Sequence, residues 1–321
     1  MNDRYMTVYA EDAAALFPKL PHSANKGSCG RVLCVCGSYS ERGLAMCGAA
    51  YFAASSAYRV GAGIVEIFTP RKNYEALAAG LAEAVYSLYE YEENEDDVCK
   101  RLEKSIYRAD CVVIGCGLGK SRMARALVAT VLKKAAVPMV IDADALNIMS
   151  ENAELWSLIG TEQRKRTVIT PHVGEMSRLC GATIRDLLDY PVDHAASFAR
   201  KYGVVCLLKD HRTVITDGDR VYLNNSGNPG MASAGMGDLL AGVMGGLLSR
   251  KTVADWADAE RIGENEILYR TAVGAYLHGY AGDLACMKVG EYSLVTGDLL
   301  LEIPSAIMSF CGYDAKNERT I

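Results

Sequence analysis

The sequence predicts an α/β protein built on a doubly wound, mainly parallel sheet with antiparallel strands at one edge. Three observations support this. Short β-rich runs, apolar almost throughout, recur along the chain, which is how strands covered on both faces read. Between them lie Ala-rich or amphipathic stretches such as MCGAAYFAASSAYRVGA and SRMARALVATVLKKA, which supply the covering helices. Finally, VVCLLK and TVITDG are separated only by Asp210, His211 and Arg212, and so read as a hairpin.

In order, the predicted strands are RVLCVCG (31–37), IVEIFTP (64–70), EAVYSL (83–88), CVVIGCG (111–117), MVIDAD (139–144), TVITPH (167–172), VVCLLK (204–209) and TVITDG (213–218). The acidic stretch YEYEENEDDVCKRLEK (89–104) reads as a solvated loop entering a helix. After residue 237 the chain reads as helical, in GDLLAGVMGGLLSR, ENEILYRTAVGAYLHGYAGDLACM and TGDLLLEIPSAIMSF, with Pro304 expected to bend or break the last. The 321 residues leave one large domain or two open.

Composition narrows the function. With 34 Lys+Arg against 39 Asp+Glu, a net charge of −5 and no basic cluster, nucleic acid is not an expected partner. No apolar stretch approaches the roughly 18 residues of a membrane span, and MNDRYMTVYAEDAAALF has no charged leader ahead of an apolar block, so a cytoplasmic protein without a membrane partner is expected. The 11 cysteines are odd in number and sit mostly in apolar runs, as buried reduced thiols do. Cys34 and Cys36 are too close for Cys-x-x-Cys metal or redox spacing.

Ligands of open α/β sheets bind beyond the carboxyl ends of the strands. The strongest segment there is NNSGNPGMASAGMGDLLAGVMGGLL, a glycine-rich loop opening a long helix near Asp238. Backbone N–H groups around Asn228, Gly230, Gly235 and Gly237, together with the helix N-terminus, suit a phosphate. Asp238 reads either as a first-turn carboxylate complementing the helix dipole or as the base that deprotonates a hydroxyl attacking a terminal phosphate, and the surrounding glycines favour the base. CVVIGCGLGKS resembles a phosphate loop but is one residue short between Gly115 and Gly119, and it also lacks the dinucleotide glycine spacing. A ligand-facing turn is the remaining reading. Asp142 and Asp144 alternate along a strand end, where they can hold Mg²⁺ through water or cap the next helix. His172 and Glu175 follow another strand without the spacing of a zinc protease. Lys209 closes its strand either as a cation for phosphate or as an exposed hairpin lysine.

Taken together, KGSCGRVLCVCGS, GAAYFAASSAYRVGAGIVEIFTP, VVIGCGLGKS, VIDADALN, ITPHVGEMSRL, LLKDHRTVI and NSGNPGMASAGMGDLLAGVMGGLL resemble, in order, the nucleotide-dependent NAD(P)H-hydrate dehydratases of the ribokinase-like superfamily. The resemblance runs from Lys26 to about Pro304. It implies a single ribokinase-like domain over residues 1–321, a three-layer α/β/α architecture, and dehydration of the S epimer of hydrated NADH or NADPH with ADP or ATP as co-substrate and Mg²⁺. It places hydrate contacts at Ala49, Gly117, His172 and Asp238, and adenine-nucleotide contacts at Lys209, Asp210, His211, Arg212, Thr213 and Gly237. A homo-oligomer, a tetramer in the family, is implied. So is a separate epimerase, because only about 25 residues precede the first match, fewer than a domain needs. The chain departs from the family pattern in three places: Asp210 replaces a glycine, Val173 a proline, and Cys116 the proline of a Gly-Pro-Gly turn. The rival readings are a hydroxymethyl or sugar kinase of the same superfamily and a non-catalytic nucleotide-binding module.

Overall fold

The computed structural model describes residues 5–18, 20–40, 43–250 and 265–312. Among the described residues ten strands are found: β1 (Tyr5–Met6), β2 (Arg31–Val35), β3 (Ile64–Pro70), β4 (Val85–Tyr89), β5 (Cys111–Ile114), β6 (Met139–Ile141), β7 (Thr167–Ile169), β8 (Val205–Leu208), β9 (Val214–Thr216) and β10 (Val221–Leu223). They form one sheet in the order β1-β10-β9-β8-β7-β6-β5-β2-β3-β4. From β4 across to β8 every pairing is parallel. The hairpin turns the sheet antiparallel at β8/β9 and β9/β10, and β1 then lies parallel to β10. The mainly parallel sheet with an antiparallel edge is therefore the architecture observed.

Alternation along the strands divides the core. Val32, Cys34 and Val113 face one helical layer, formed by Cys47–Arg59, Met236–Ser249, Glu266–Val289 and Thr296–Cys311. Leu33, Val35, Val112 and Ile114 face the other, formed by Glu95–Arg108, Arg122–Lys134, Ala143–Glu151, Val173–Cys180 and Pro191–Tyr202. Two helices of the second layer start on side-chain caps: Asn94 accepts from Asp96 N at 2.9 Å, and Ser121 accepts from Ala124 N at 3.1 Å. Met236–Ser249 is apolar all round and buried along nearly its whole length, as a helix wedged between a sheet and other helices must be.

Three local expectations need correction. The last helix, Thr296–Cys311, is not broken at Pro304. Proline forfeits one hydrogen bond there, but Leu299, Leu300, Ile303 and Ala306 are buried in the core, and that packing outweighs the local preference. The strands β1 and β10 were not expected, since two and three residues are too few to show an alternating pattern. The segment MVIDAD is strand only to Ile141, and a helix follows at once from Ala143. Among the described residues no helix is long and apolar enough to cross a membrane.

The topology locates the cleft. The chain runs outward from β2 to β4 and then returns to β5 on the other side of β2, so the winding reverses between β2 and β5. The crevice beyond the carboxyl ends at such a reversal is where these sheets bind ligands.

Candidate active site

Two turns meet at that crevice. Gly37, after β2, donates its N–H to the carbonyl of Cys116, after β5, at 2.8 Å. Gly117 follows with φ +59, and a Cβ there would stand 2.7 Å from Ala49 Cβ and 2.9 Å from Met46 Cβ. Only glycine lets the turn lie against the start of the Cys47–Arg59 helix. Two of the expected hydrate contacts, Ala49 and Gly117, are thereby neighbours.

The next strands deliver charge. Asp142 stands at the N-cap of the Ala143–Glu151 helix, and its Oδ1 accepts from Lys209 Nζ at 2.7 Å and from Thr170 Oγ1 at 2.8 Å. Its Oδ2 lies 3.8 Å from Cys116 Sγ. Asp144 does not share this position. Because the strand stops at Ile141, helical rotation carries Asp144 toward the turn after β5, where it accepts from Gly119 N at 2.8 Å. The two carboxylates thus do not alternate along one strand as the sequence suggested, although Asp142 Oδ2 meets only the weak Cys116 thiol donor and Asp144 keeps one oxygen outside its bond to Gly119.

Lys209 extends β8 through an isolated parallel bridge to His172, and its N–H reaches the Pro171 carbonyl at 2.8 Å. Its side chain is only 20% exposed, which excludes the exposed-hairpin reading. Burial opposes the ammonium charge, yet the carboxylates of Asp142 and Glu175 hold it above the ordinary lysine range. The neighbouring turn is different in character. Asp210 contacts the ring of His211 at 3.0 Å, with His211 80% exposed, while Arg212 is exposed and Thr213 donates to the Asp210 carbonyl at 3.2 Å. His172 caps the Val173–Cys180 helix through Nδ1, which accepts from Gly174 N at 3.0 Å, and Glu175 accepts from His172 N at 2.9 Å. This exchange needs an unprotonated Nδ1. Burial and then the Lys209 charge lower the imidazole's affinity for a second proton. Burial raises the Glu175 carboxyl above its usual range.

Opposite these strand ends begins the Met236–Ser249 helix, two residues earlier than the sequence suggested. Its N-cap is Gly235 at φ +93, so no side chain satisfies the first-turn N–H groups. Gly237 faces the ion pair: a Cβ there would lie 3.3 Å from Lys209 Nζ and 3.9 Å from Asp142 Oδ2. Asp238 joins the same cluster, with donor atoms of Cys116, Asp142 and Asp238 all within 4.8 Å of one another. Burial, and then the negative charge of Asp142, push the Asp238 carboxyl up to about 6. The Cys116 thiol holds its proton well above the ordinary range through its hydrogen bond with Cys36 and its burial, and so stays neutral.

The structure therefore gathers Gly237, Asp238, Asp142, Lys209 and His172 at one cleft, with Ala49 and Gly117 at the adjoining turn. Asn228 and Gly230 are held differently. Asn228 donates to Asp283 at 2.8 Å and accepts from Gly230 N at 3.1 Å, while a Cβ on Gly230 would stand 2.8 Å from the Glu291 carbonyl. Thr170 was not singled out from the sequence. The signal was a hydroxyl residue closing the run TVIT at the strand's carboxyl end, where it now completes the Asp142 contacts.

The donor set does not form a direct Mg²⁺ cage. Cys116 is a neutral thiol, and one Asp142 oxygen is already matched by an ammonium, whereas Mg²⁺ demands six oxygen ligands in octahedral array. Asp142 Oδ2, which meets only the weak thiol donor, and the second oxygen of Asp144 fit contact through water.

Comparison with known proteins identifies the family. The family model described as NAD(P)H-hydrate dehydratase matches residues 32–305. The chain is 32% identical over 288 residues to an ADP-dependent (S)-NAD(P)H-hydrate dehydratase of Neisseria meningitidis, covering 88% of this chain and 87% of that one. It is 37% identical over 291 residues to a bifunctional NAD(P)H-hydrate repair enzyme of Moorella thermoacetica, covering 89% of this chain but 51% of that protein. The chain thus spans about half the length of the bifunctional relatives it matches. Among solved structures, an ADP/ATP-dependent NAD(P)H-hydrate dehydratase of Bacillus subtilis, co-crystallized with ATP/Mg²⁺, aligns with a TM-score of 0.75 at 25% identity, over 97% of this chain and 99% of that one. A ribokinase-like protein of Enterococcus faecalis shares the fold with a TM-score of 0.78 over 97% of this chain and 98% of that one. With a ribokinase-like fold and a family match across most of its length, the chain belongs to the NAD(P)H-hydrate dehydratase family.

Proposed function

We propose that the protein dehydrates the S epimer of NADH or NADPH hydrate, with ADP or ATP as co-substrate, and so restores the reduced nicotinamide nucleotide. The observation that carries this is Asp238: a carboxylate desolvated in the first turn of an uncapped helix, beside a second carboxylate already paired with Lys209.

The chemistry follows from those charges. The hydrate's hydroxyl approaches Asp238, which takes its proton as the oxygen attacks the terminal phosphoryl group, and the phosphoanhydride bond breaks to release AMP from ADP or ADP from ATP. The first-turn N–H groups and Lys209 receive the charge that builds on the phosphoryl oxygens. The ring nitrogen's lone pair then expels phosphate with the C–O bond electrons, and loss of a proton from the adjacent ring carbon closes the dihydropyridine double bond. Ala49 and Gly117 leave a wall without bulk for the nicotinamide ring, and His172 donates from the far side. The Lys209-to-Thr213 turn, Gly235 and Gly237 hold the adenine nucleotide. Asp142 and Asp144 would meet Mg²⁺ through water, and the ion supplies screening of phosphate charge. The active form is a homo-oligomer in the cytoplasm, and an epimerase activity that converts the R epimer to the S epimer would let this site repair both.

The decisive assay mixes purified protein with hydrated NADH and either ADP or ATP. The expected result is return of the dihydropyridine absorbance with release of phosphate. A stable phosphorylated product without that absorbance would instead identify a small-molecule kinase. Nucleotide binding by calorimetry without any turnover would identify a binding module.

A further inference from the structure

The loop between β10 and the Met236 helix does not stand alone. It is fastened along one side of the Glu266–Val289 helix and the residues after it. Ser226 Oγ donates to the Tyr276 carbonyl at 2.9 Å, His278 Nε2 lies 3.1 Å from the Met236 carbonyl, and Thr296 Oγ1 donates to the Ala234 carbonyl at 2.7 Å. The strongest fastening is ionic. Asp283 accepts from Gly227 N through one oxygen at 2.9 Å and from Asn228 Nδ2 through the other at 2.8 Å. Asn228 Oδ1 in turn accepts from Gly230 N at 3.1 Å. One carboxylate and one amide thus employ two N–H groups of the very loop that the sequence marks for phosphate. A carboxylate is a poor neighbour for an incoming phosphate, but a strong acceptor for ordering the loop before it arrives.

We infer that Asp283 is a positioning residue, and that Asn228 is its strut rather than a phosphate contact. Together they hold the loop so that Gly235, Gly237 and Asp238 are presented to the nucleotide in fixed register. The inference rests on the dehydratase reading for its assay, but its geometry is independent of the substrate.

The test is a reciprocal exchange. Asp283→Asn alone puts an amide donor against the donor of either Gly227 or Asn228, and Asn228→Asp alone puts two carboxylates face to face. The double variant Asn228→Asp/Asp283→Asn restores all three bonds with the charge moved across the pair: residue 228 accepts from Gly230 N and from residue 283, which accepts from Gly227 N. Steady-state kcat and KM for ADP or ATP are measured alongside thermal melting. Each single change is expected to lower kcat/KM for nucleotide by on the order of ten- to a hundredfold, the weight of a charge-assisted bond. The exchange is expected to return it toward the wild-type value. If Asn228 instead touches phosphate, the exchanged protein carries a carboxylate against the nucleotide and stays as impaired as Asn228→Asp, which overturns the inference. Recovered melting temperature without recovered kcat/KM also overturns it. Should the single variants fail to fold, wild type against the exchange still decides. Absence of dehydration in the wild type would tell against the proposed function, and the exchange is then judged on ADP affinity by calorimetry.

Discussion

Asp142 and Asp238 occupy the same cleft and bring donor atoms within 4.8 Å of each other, yet their surroundings differ. Asp142 is matched by an ammonium and a hydroxyl, Lys209 at 2.7 Å and Thr170 at 2.8 Å. Asp238 faces burial and the charge of Asp142 itself, with its carboxyl raised to about 6 as a result. One carboxylate is thereby held by its partners, and the other is poised to exchange a proton near neutrality. Environment, not residue type, divides the labour.

The sharpest way to break this contrast is Asp238→Asn. Removing the base is expected to lower turnover by about 10²–10⁴-fold while nucleotide still binds. The same change should stabilise the protein. Because the folded carboxyl lies above its unfolded value of 3.8, the stability its proton confers is complete below that value and lost as pH rises through about 6. Above that window the wild type carries a desolvation penalty that asparagine lacks, worth about 1–2 kcal/mol after solvent screening. Urea melts near pH 8 should favour the variant, and melts below the unfolded value should not separate the two proteins. Equal stability at both would place Asp238 in water.

Asp142→Asn probes the other side of the contrast. Here a buried ammonium loses its counter-charge, and a loss of about 3–5 kcal/mol is expected. Adding Lys209→Met should recover most of that loss, since removing both charges leaves neither unpaired. With a like charge gone, the acid limb of any remaining activity should also move below the wild-type midpoint. A single variant as stable as wild type would show that the pair is solvated.

How much of this could be read from the residues alone varies along the chain. The parallel strands were legible because both faces are buried, so apolar runs such as CVVI and VCLL stand out. The glycine-rich start of the Met236 helix was legible because a run of small residues ahead of a long apolar stretch marks where a buried helix begins. Asp142 and Asp144 were found as a pair but not placed, because a strand reading continued past Ile141 sets them on one face, while the actual helix turns them apart. Pro304 misled because local preference ignores the core that holds Ile303 and Ala306. Asp283 left no signal at all: an aspartate within a helical stretch reads as solvated until the loop it grips, 55 residues earlier in the chain, is folded against it.

The smallest effect, and the one that tests the contrast most finely, concerns Cys116. Its thiol sits 3.8 Å from Asp142 Oδ2 and also supports the Asp238 carboxylate, whose affinity for a proton it lowers against the opposing effects of burial and Asp142. In wild type, kcat/KM should fall tenfold per pH unit below a midpoint of about 6 as Asp238 protonates. Cys116→Ala removes a weak donor and no charge, because the thiol is neutral throughout this range. The acid limb should therefore move upward by less than about one unit, with the plateau unchanged. A downward shift would mean that the thiol acts on Asp238 as a negative group, and a shift of several units would mean that burial and Asp142 are not what raise that carboxyl. Either outcome would dissolve the distinction between the two aspartates.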